Sequence, residues 1–123
     1  PSELENKLKV SPFIKEAIVI GDRRKFVSAL IGIELDTVSA WATRKGITFT
    51  TYRDLTEKQE VLGLVKAQVL EANKEFSTAE QIREFRLITK ELDHEDGEVT
   101  ATQKVKRRVI EDQFSTLIES MYK

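Results

Sequence analysis

The sequence predicts an α+β fold: a small three-stranded sheet packed with about four to five helices, forming a single domain over residues 1–123. Three observations lead there. Two apolar runs rich in branched residues, Ala17-Ile18-Val19-Ile20 and Ala29-Leu30-Ile31-Gly32-Ile33, flank the turn Gly21-Asp22-Arg23-Arg24-Lys25. So short a connection makes them an antiparallel strand pair. Leu62, Val65, Val69, Ala72 and Phe76 recur at helical spacing and form the clearest amphipathic stripe in the chain. A second stripe of Ile110, Phe114, Leu117, Ile118 and Met121 closes the chain.

The elements follow in order. Ser2 with Glu5 has the form of a capping box, so a short helix opens the chain with Leu4 and Leu8 on one face. Ser11-Pro12 ends it, because proline disfavours helical geometry in the residue before it. Strands are expected from Ile14 to Ile20 and from Phe26 to Leu35. Asp36 as N-cap and Gly46 as stop bound a helix carrying Val38, Trp41 and Ala42. Thr56 with Gln59 repeats the capping-box form ahead of the long stripe. Residues Arg83 to Ile88 alternate weakly and suit a third strand, and a last helix is expected from about Gln103. Trp41 and Phe26 read as core residues.

A chain of 123 residues favours one domain. Folding should bury roughly two-thirds of its surface. With 40% hydrophobic against 33% charged residues and a net charge of -1, it reads as soluble and carries no global field that would draw it to nucleic acid or a membrane. The absence of cysteine excludes a disulfide framework, a thiol nucleophile and cysteine-ligated metal, and fits a reducing compartment. No apolar run reaches the length of a membrane span. The opening Pro1-Ser2-Glu3 lacks an initiator methionine and runs straight into a helix, so a fragment of a longer protein is expected.

Charge is unevenly placed. An acidic loop, Asp93-His94-Glu95-Asp96-Gly97-Glu98, precedes the run Thr100-Ala101-Thr102-Gln103-Lys104-Val105-Lys106-Arg107-Arg108. A lysine where a turn meets a helix can be held and aimed outward, and its ammonium suits carboxylate or phosphate oxygens. Lys104 is therefore the candidate for chemistry. Taken alone it reads first as a solvated surface lysine near a helix start. Lys106, Arg107 and Arg108 read as a solvated helix face, partly paired with the acidic loop. His94 among its carboxylates fits no metal-ligand spacing, so no metal site is expected. Glu3 and Glu5 read as first-turn charges favoured by the helix dipole.

These residues resemble the C-terminal domain of the adenylate-forming enzymes, and within them the long-chain fatty acid–CoA ligases. Pro1-Ser2-Glu3-Leu4-Glu5 is similar to the end of that family's hinge-side motif. Ser11-Pro12-Phe13-Ile14-Lys15-Glu16-Ala17-Ile18-Val19-Ile20-Gly21-Asp22 is similar to its helix end and first strand. Thr100 to Arg108 resembles its final motif around the catalytic lysine. Thr102-Gln103 replaces the serine-glycine that much of the family carries there, and Ala101 stands where the long-chain branch commonly has proline. Lys104-Val105-Lys106-Arg107 fits the pattern of lysine, aliphatic, any residue, arginine. A frame starting at Lys106 fits worse, because Arg107 would take the aliphatic position.

The resemblance implies a mobile lid domain whose large adenylating domain and hinge lie upstream of Pro1. The reaction implied takes ATP, a fatty acid and CoA to acyl-CoA, AMP and pyrophosphate. Lys104 would be the lysine of the adenylation step. Mg2+ is expected in the full-length enzyme but not on this domain. Lys74 at the end of the long helix, and the Arg23-Arg24-Lys25 turn, are candidates for CoA phosphates by charge and exposure. Expected partners are the adenylating domain and these substrates, not nucleic acid. The expected location is the cytoplasm or, peripherally, a membrane surface. The competing class is a non-catalytic module that holds an anionic or nucleic-acid partner on the basic turn.

Overall fold

The computed structural model describes residues 2–21, 24–93, 95–102 and 104–122. Several expectations lie outside the described residues: Pro1, the Ser2 side chain of the capping box, Asp22 and Arg23 of the first turn, His94 and Gln103. The elements run α1 (Ser2–Lys9), β1 (Ile14–Ile20), β2 (Val27–Ile33), α2 (Leu35–Arg44), α3 (Tyr52–Thr56), α4 (Gln59–Asn73), β3 (Ile82–Leu87), α5 (Arg107–Gln113) and α6 (Ser115–Ser120). A single 3-10 turn at Thr78–Glu80 precedes β3.

The sheet order is β1-β2-β3. β1 and β2 pair antiparallel, as the short turn requires, while β3 returns parallel to β2 after the α2–α4 crossover. β2 is therefore central and almost wholly buried, and β1 is an edge. A register shift between Ile14 and Glu16 inserts an extra residue into β1. That bulge lets Ile14 and Ala17 both reach the face where Val19, Ala29, Ile31 and Ile33 meet Leu4, Leu8, Val38 and Val65. The opposite face carries Ile18, Ile20 and Leu30 against Ile88, Ile110, Ile118 and Met121. By strand alternation Glu16 belongs to this second face.

The α+β class and the three-stranded sheet are as the sequence predicts, with six short α-helices among the described residues rather than four or five. The excess arises at two places. Thr51 caps a separate helix α3: its hydroxyl accepts from the Asp54 amide at 3.0 Å, and an Asp54 carboxylate oxygen accepts from the Thr50 amide at 2.9 Å. This local box uses up the segment, so Thr56 ends α3, donates to the Arg53 carbonyl at 2.6 Å and caps nothing, while Lys58 precedes α4 without a side-chain cap. The last helix starts at Arg107, not Gln103, and Phe114 leaves helical geometry (φ -106, ψ 24) to divide α5 from α6.

Asp36 is likewise not a cap. Glu34 takes that position without a side-chain bond, and Asp36 sits in the first turn, where a negative charge is favoured. Gly46 does end α2, with φ +75 just beyond the Lys45 cap. Trp41 and Phe26 are half-buried at the core margins, Phe26 stacking on Tyr122 with ring centroids 4.5 Å apart.

Candidate functional site

Val99 and Val105 form an isolated antiparallel bridge, so the segment between them is a small loop rather than the start of a helix. The Thr100 amide donates to the Lys104 carbonyl at 2.8 Å, the Lys104 amide to the Thr100 hydroxyl oxygen at 3.0 Å, and the Lys106 amide to the Glu98 carbonyl at 2.9 Å. These bonds give the loop its shape. Lys104 leaves it exposed, and its ammonium makes no hydrogen bond or ion pair among the described residues. Lys106 is also exposed, one residue before α5.

Two anchors fix the base of the loop. On the incoming limb, Glu98 is fully buried and its carboxylate is saturated. It accepts from Lys90 at 2.7 and 2.8 Å, from the Asp93 amide at 2.8 Å, and from the Gln113 side-chain amide of α5. Lys90 also binds Asp96 at 2.6 Å. Burial opposes its ammonium, but the hydrogen bonds to Asp96 and Glu98 outweigh that and hold its pKa above the ordinary lysine value. On the outgoing limb, Arg107 donates through Nη1 to the Val19 carbonyl at 2.8 Å and through Nη2 to Glu5 Oε2. That same Glu5 oxygen accepts the Val19 amide at 2.7 Å.

One sequence reading is corrected here: Arg107 pairs with Glu5 of α1 and not with the acidic loop, whose carboxylates Asp96 and Glu98 take Lys90 instead. Glu5 is a first-turn acid of α1 as read, and in addition a tertiary ligand of β1 and Arg107. Both residues stand inside the motifs that carry the family resemblance, and that was the only signal of them in the sequence.

A cleft of about 300 Å³ opens between these parts, lined by Glu5, Lys9, Glu16, Lys104, Val105 and Arg107. Lys106 is not among its lining residues. Glu16 stands opposite Gly32, where a Cβ would come within 3.3 Å of the Glu16 Cβ. It is only 7% exposed and forms no hydrogen bond or ion pair among the described residues. Burial pushes its carboxyl upward in pKa, against the partial pull of Lys9 and Lys15. The cleft thus presents an exposed ammonium at its rim and a reluctant carboxylate within it.

The other predicted basic residues lie elsewhere. Lys74 caps the end of α4, pairs with Glu71 at 3.0 Å and does not line the cleft. Arg24 is engaged by Glu119, at 2.6 Å for the shorter contact, and lies 4.9 Å from the Tyr122 ring centre. Lys25 is exposed. Among the described residues no group of three or more histidine, cysteine, aspartate or glutamate side chains could hold a metal ion. No helix among the described residues is long and apolar enough to cross a membrane.

The chain is 36% identical over 123 residues to the long-chain-fatty-acid–CoA ligase FadD15 of Mycobacterium tuberculosis, covering 99% of this chain and 20% of that one. It is 27% identical over 130 residues to the peroxisomal long chain acyl-CoA synthetase 6 of Arabidopsis thaliana, covering 18% of that protein. The chain therefore spans about a fifth of the length of the curated relatives it matches. Among solved structures, the adenylation domain of a carboxylate reductase from Mycobacterium chelonae superposes with a TM-score of 0.71 at 19% identity, covering 98% of this chain and 17% of that one, which shows a shared fold. Residues 1–123 match throughout the family described as the AMP-binding enzyme C-terminal domain. By this match over residues 1–123, the chain belongs to the AMP-binding enzyme C-terminal domain family.

Proposed function

We propose that this chain is the mobile C-terminal domain of a long-chain fatty acid–CoA ligase, and that Lys104 is the lysine of its adenylation step. The supporting observation is an exposed ammonium without an intramolecular partner, carried on a loop whose two limbs are both anchored. In the first half-reaction a fatty-acid carboxylate attacks the α-phosphate of ATP and pyrophosphate leaves. Two anions must approach, and a cation between them offsets their repulsion and steadies the in-line geometry. Lys104 acts electrostatically and by position, neither as nucleophile nor as base. CoA thiolate then attacks the acyl carbon and expels AMP. That step does not need Lys104 once the domain has swung to present another surface. The upstream adenylating domain is the partner that holds ATP and the fatty acid, and no step is assigned to Mg2+ here. Lys74, far out on α4, remains our candidate for a CoA phosphate contact.

The test uses a longer protein joining this domain to its adenylating domain. Lys104→Ala should slow acyl-adenylate formation by on the order of 10²–10³, equivalent to about 3–4 kcal/mol of transition-state stabilisation. Thioester formation from supplied acyl-adenylate should be spared. Adenylation at the parental rate in that variant would remove the role. For Lys74→Ala the expected change is smaller: a rise of a few-fold, about 1 kcal/mol, in the KM for CoA with adenylation untouched. An unchanged KM would strike Lys74 from the site.

A further inference from the structure

We propose that Arg107 and Glu5 are positioning residues for Lys104, acting as a side-chain substitute for a missing strand at the edge of the sheet. The catalytic consequence rests on Lys104 being the adenylation lysine. The structural consequence does not.

Val19 lies in β1, the edge strand, and its register partner is Ala29 of β2. Both peptide groups of Val19 that point away from β2 are taken by side chains. Glu5 Oε2 accepts its N–H at 2.7 Å, as a neighbouring strand's carbonyl would. Arg107 Nη1 donates to its C=O at 2.8 Å, as a neighbouring amide would. The ion pair between Arg107 Nη2 and Glu5 Oε2 then joins the two halves. An edge left bare would expose these groups to solvent or to another chain. Here the bonds recruit α1 and the first turn of α5 to one residue of β1.

The hydrogen bonds inside the loop, from Thr100 to Lys106, set its shape but not its direction relative to the sheet. Direction comes from the anchors at its base. The Glu98 anchor ties the incoming limb to Lys90 and to Gln113 of α5. Both Arg107 contacts are long-range, to residues 88 and 102 positions away, and tie the outgoing limb to β1 and α1. Arg107 is three residues beyond Lys104, so a slip of its guanidinium carries through one short extended segment to the lysine. The fork of arginine meets two acceptors at once, whereas a lysine ammonium on one stem would have to give up one of them. The Glu5 side chain is 14% exposed and the Arg107 side chain 44%, a half-open pair better suited to fixing direction than to adding stability.

Two measurements test this. On the 123-residue chain itself, Arg107→Gln and Glu5→Gln should each speed amide hydrogen exchange at Thr100 and Lys104 by about tenfold or more, while Leu30 and Ile31 stay protected. Arg107→Lys should fall between. In the longer two-domain protein, Arg107→Gln should lower kcat for adenylation about tenfold with KM for ATP and fatty acid unchanged and the thioester step intact. In a Lys104→Ala background the same change should have no further effect, because it acts through that lysine. Unaltered exchange at Thr100 and Lys104 in both single variants overturns the positioning role. So does full additivity with Lys104→Ala, or an equal loss in both half-reactions. If Lys104→Ala itself leaves adenylation intact, the functional reading fails, and the exchange measurement still decides whether the clamp orients the loop.

Discussion

On one face of the sheet, α1, α2 and α4 lay Leu4, Leu8, Val38, Val61, Val65 and Val69 against Ala29, Ile31 and Ile33. On the other, α5 and α6 bring Ile110, Ile118 and Met121 to Ile18, Ile20 and Leu30, and charge adds to this packing: Glu98 with Lys90 and Gln113, and Arg107 of α5 reaching across the β1 edge to Glu5 of α1. The first face is held by apolar area, which is non-directional and tolerates small shifts. The second adds hydrogen bonds between charged groups, which fix direction and fail abruptly when a partner is lost. Lys104 stands on the directional side. In the role proposed for it, that lysine gains more from oriented bonds than from further aliphatic burial.

The comparison can be broken by substitutions on each side. The largest change in stability is expected from Ile31→Ala. Ile31 is fully buried in the central strand, so deleting its methyl groups should cost about 3–4 kcal/mol by denaturant unfolding, spread over the whole domain. A loss under about 1 kcal/mol would mean that the first face is not the main store of stability. Glu98→Ala should cost less globally, about 1–3 kcal/mol, since it strips an acceptor from the Asp93 amide and from Gln113 while Lys90 can still reach water and Asp96. Its local effect should be the greater one: exchange in residues 99–105 should rise well before the sheet opens. Equal loosening of loop and sheet would erase the distinction between the two faces.

The smallest effect, and one of opposite sign, is expected at Glu16. Burial raises its carboxyl pKa, so ionisation of this group opposes folding. Its stabilising contribution is complete below the ordinary carboxylate value and is lost as pH climbs through the raised one. Glu16→Gln should therefore melt above the parent at pH 7, with the gap closing toward the ordinary glutamate value of 4.5. Melting curves that keep parent and variant together at every pH would show that this carboxylate is solvated through the cleft.

Much of the scaffold could be read locally. β1 was expected over the residues it occupies, because four consecutive branched or small apolar residues follow a proline and precede a glycine. The stripe of α4 was legible for the same reason, although Asn73 ends the helix before Phe76 and binds the Ile82 amide and carbonyl instead. The breaks were not legible. Ile110, Phe114 and Ile118 keep perfect helical spacing through Phe114, and periodicity carries no trace of a single residue leaving helical geometry. Thr56-x-x-Gln59 reads as a cap because a tetrapeptide pattern cannot show that Thr56 is already the last residue of α3, a helix capped by Thr51, which leaves Lys58 ahead of α4.

Sequence by itself determined the strand pair, the amphipathic helices, the family resemblance and the choice of Lys104, since each is written in neighbouring residues or in short spacings. Only the tertiary structure decided that Glu5 and Arg107 meet across Val19, that Glu98 is buried and saturated, and that β3 returns parallel to β2. The reason is physical. Periodicity and capping report the surroundings of a residue within a turn or two of chain, whereas a carboxylate finds its donors by where folding sets distant segments side by side, and nothing in the local pattern separates a glutamate facing water from one that completes a sheet.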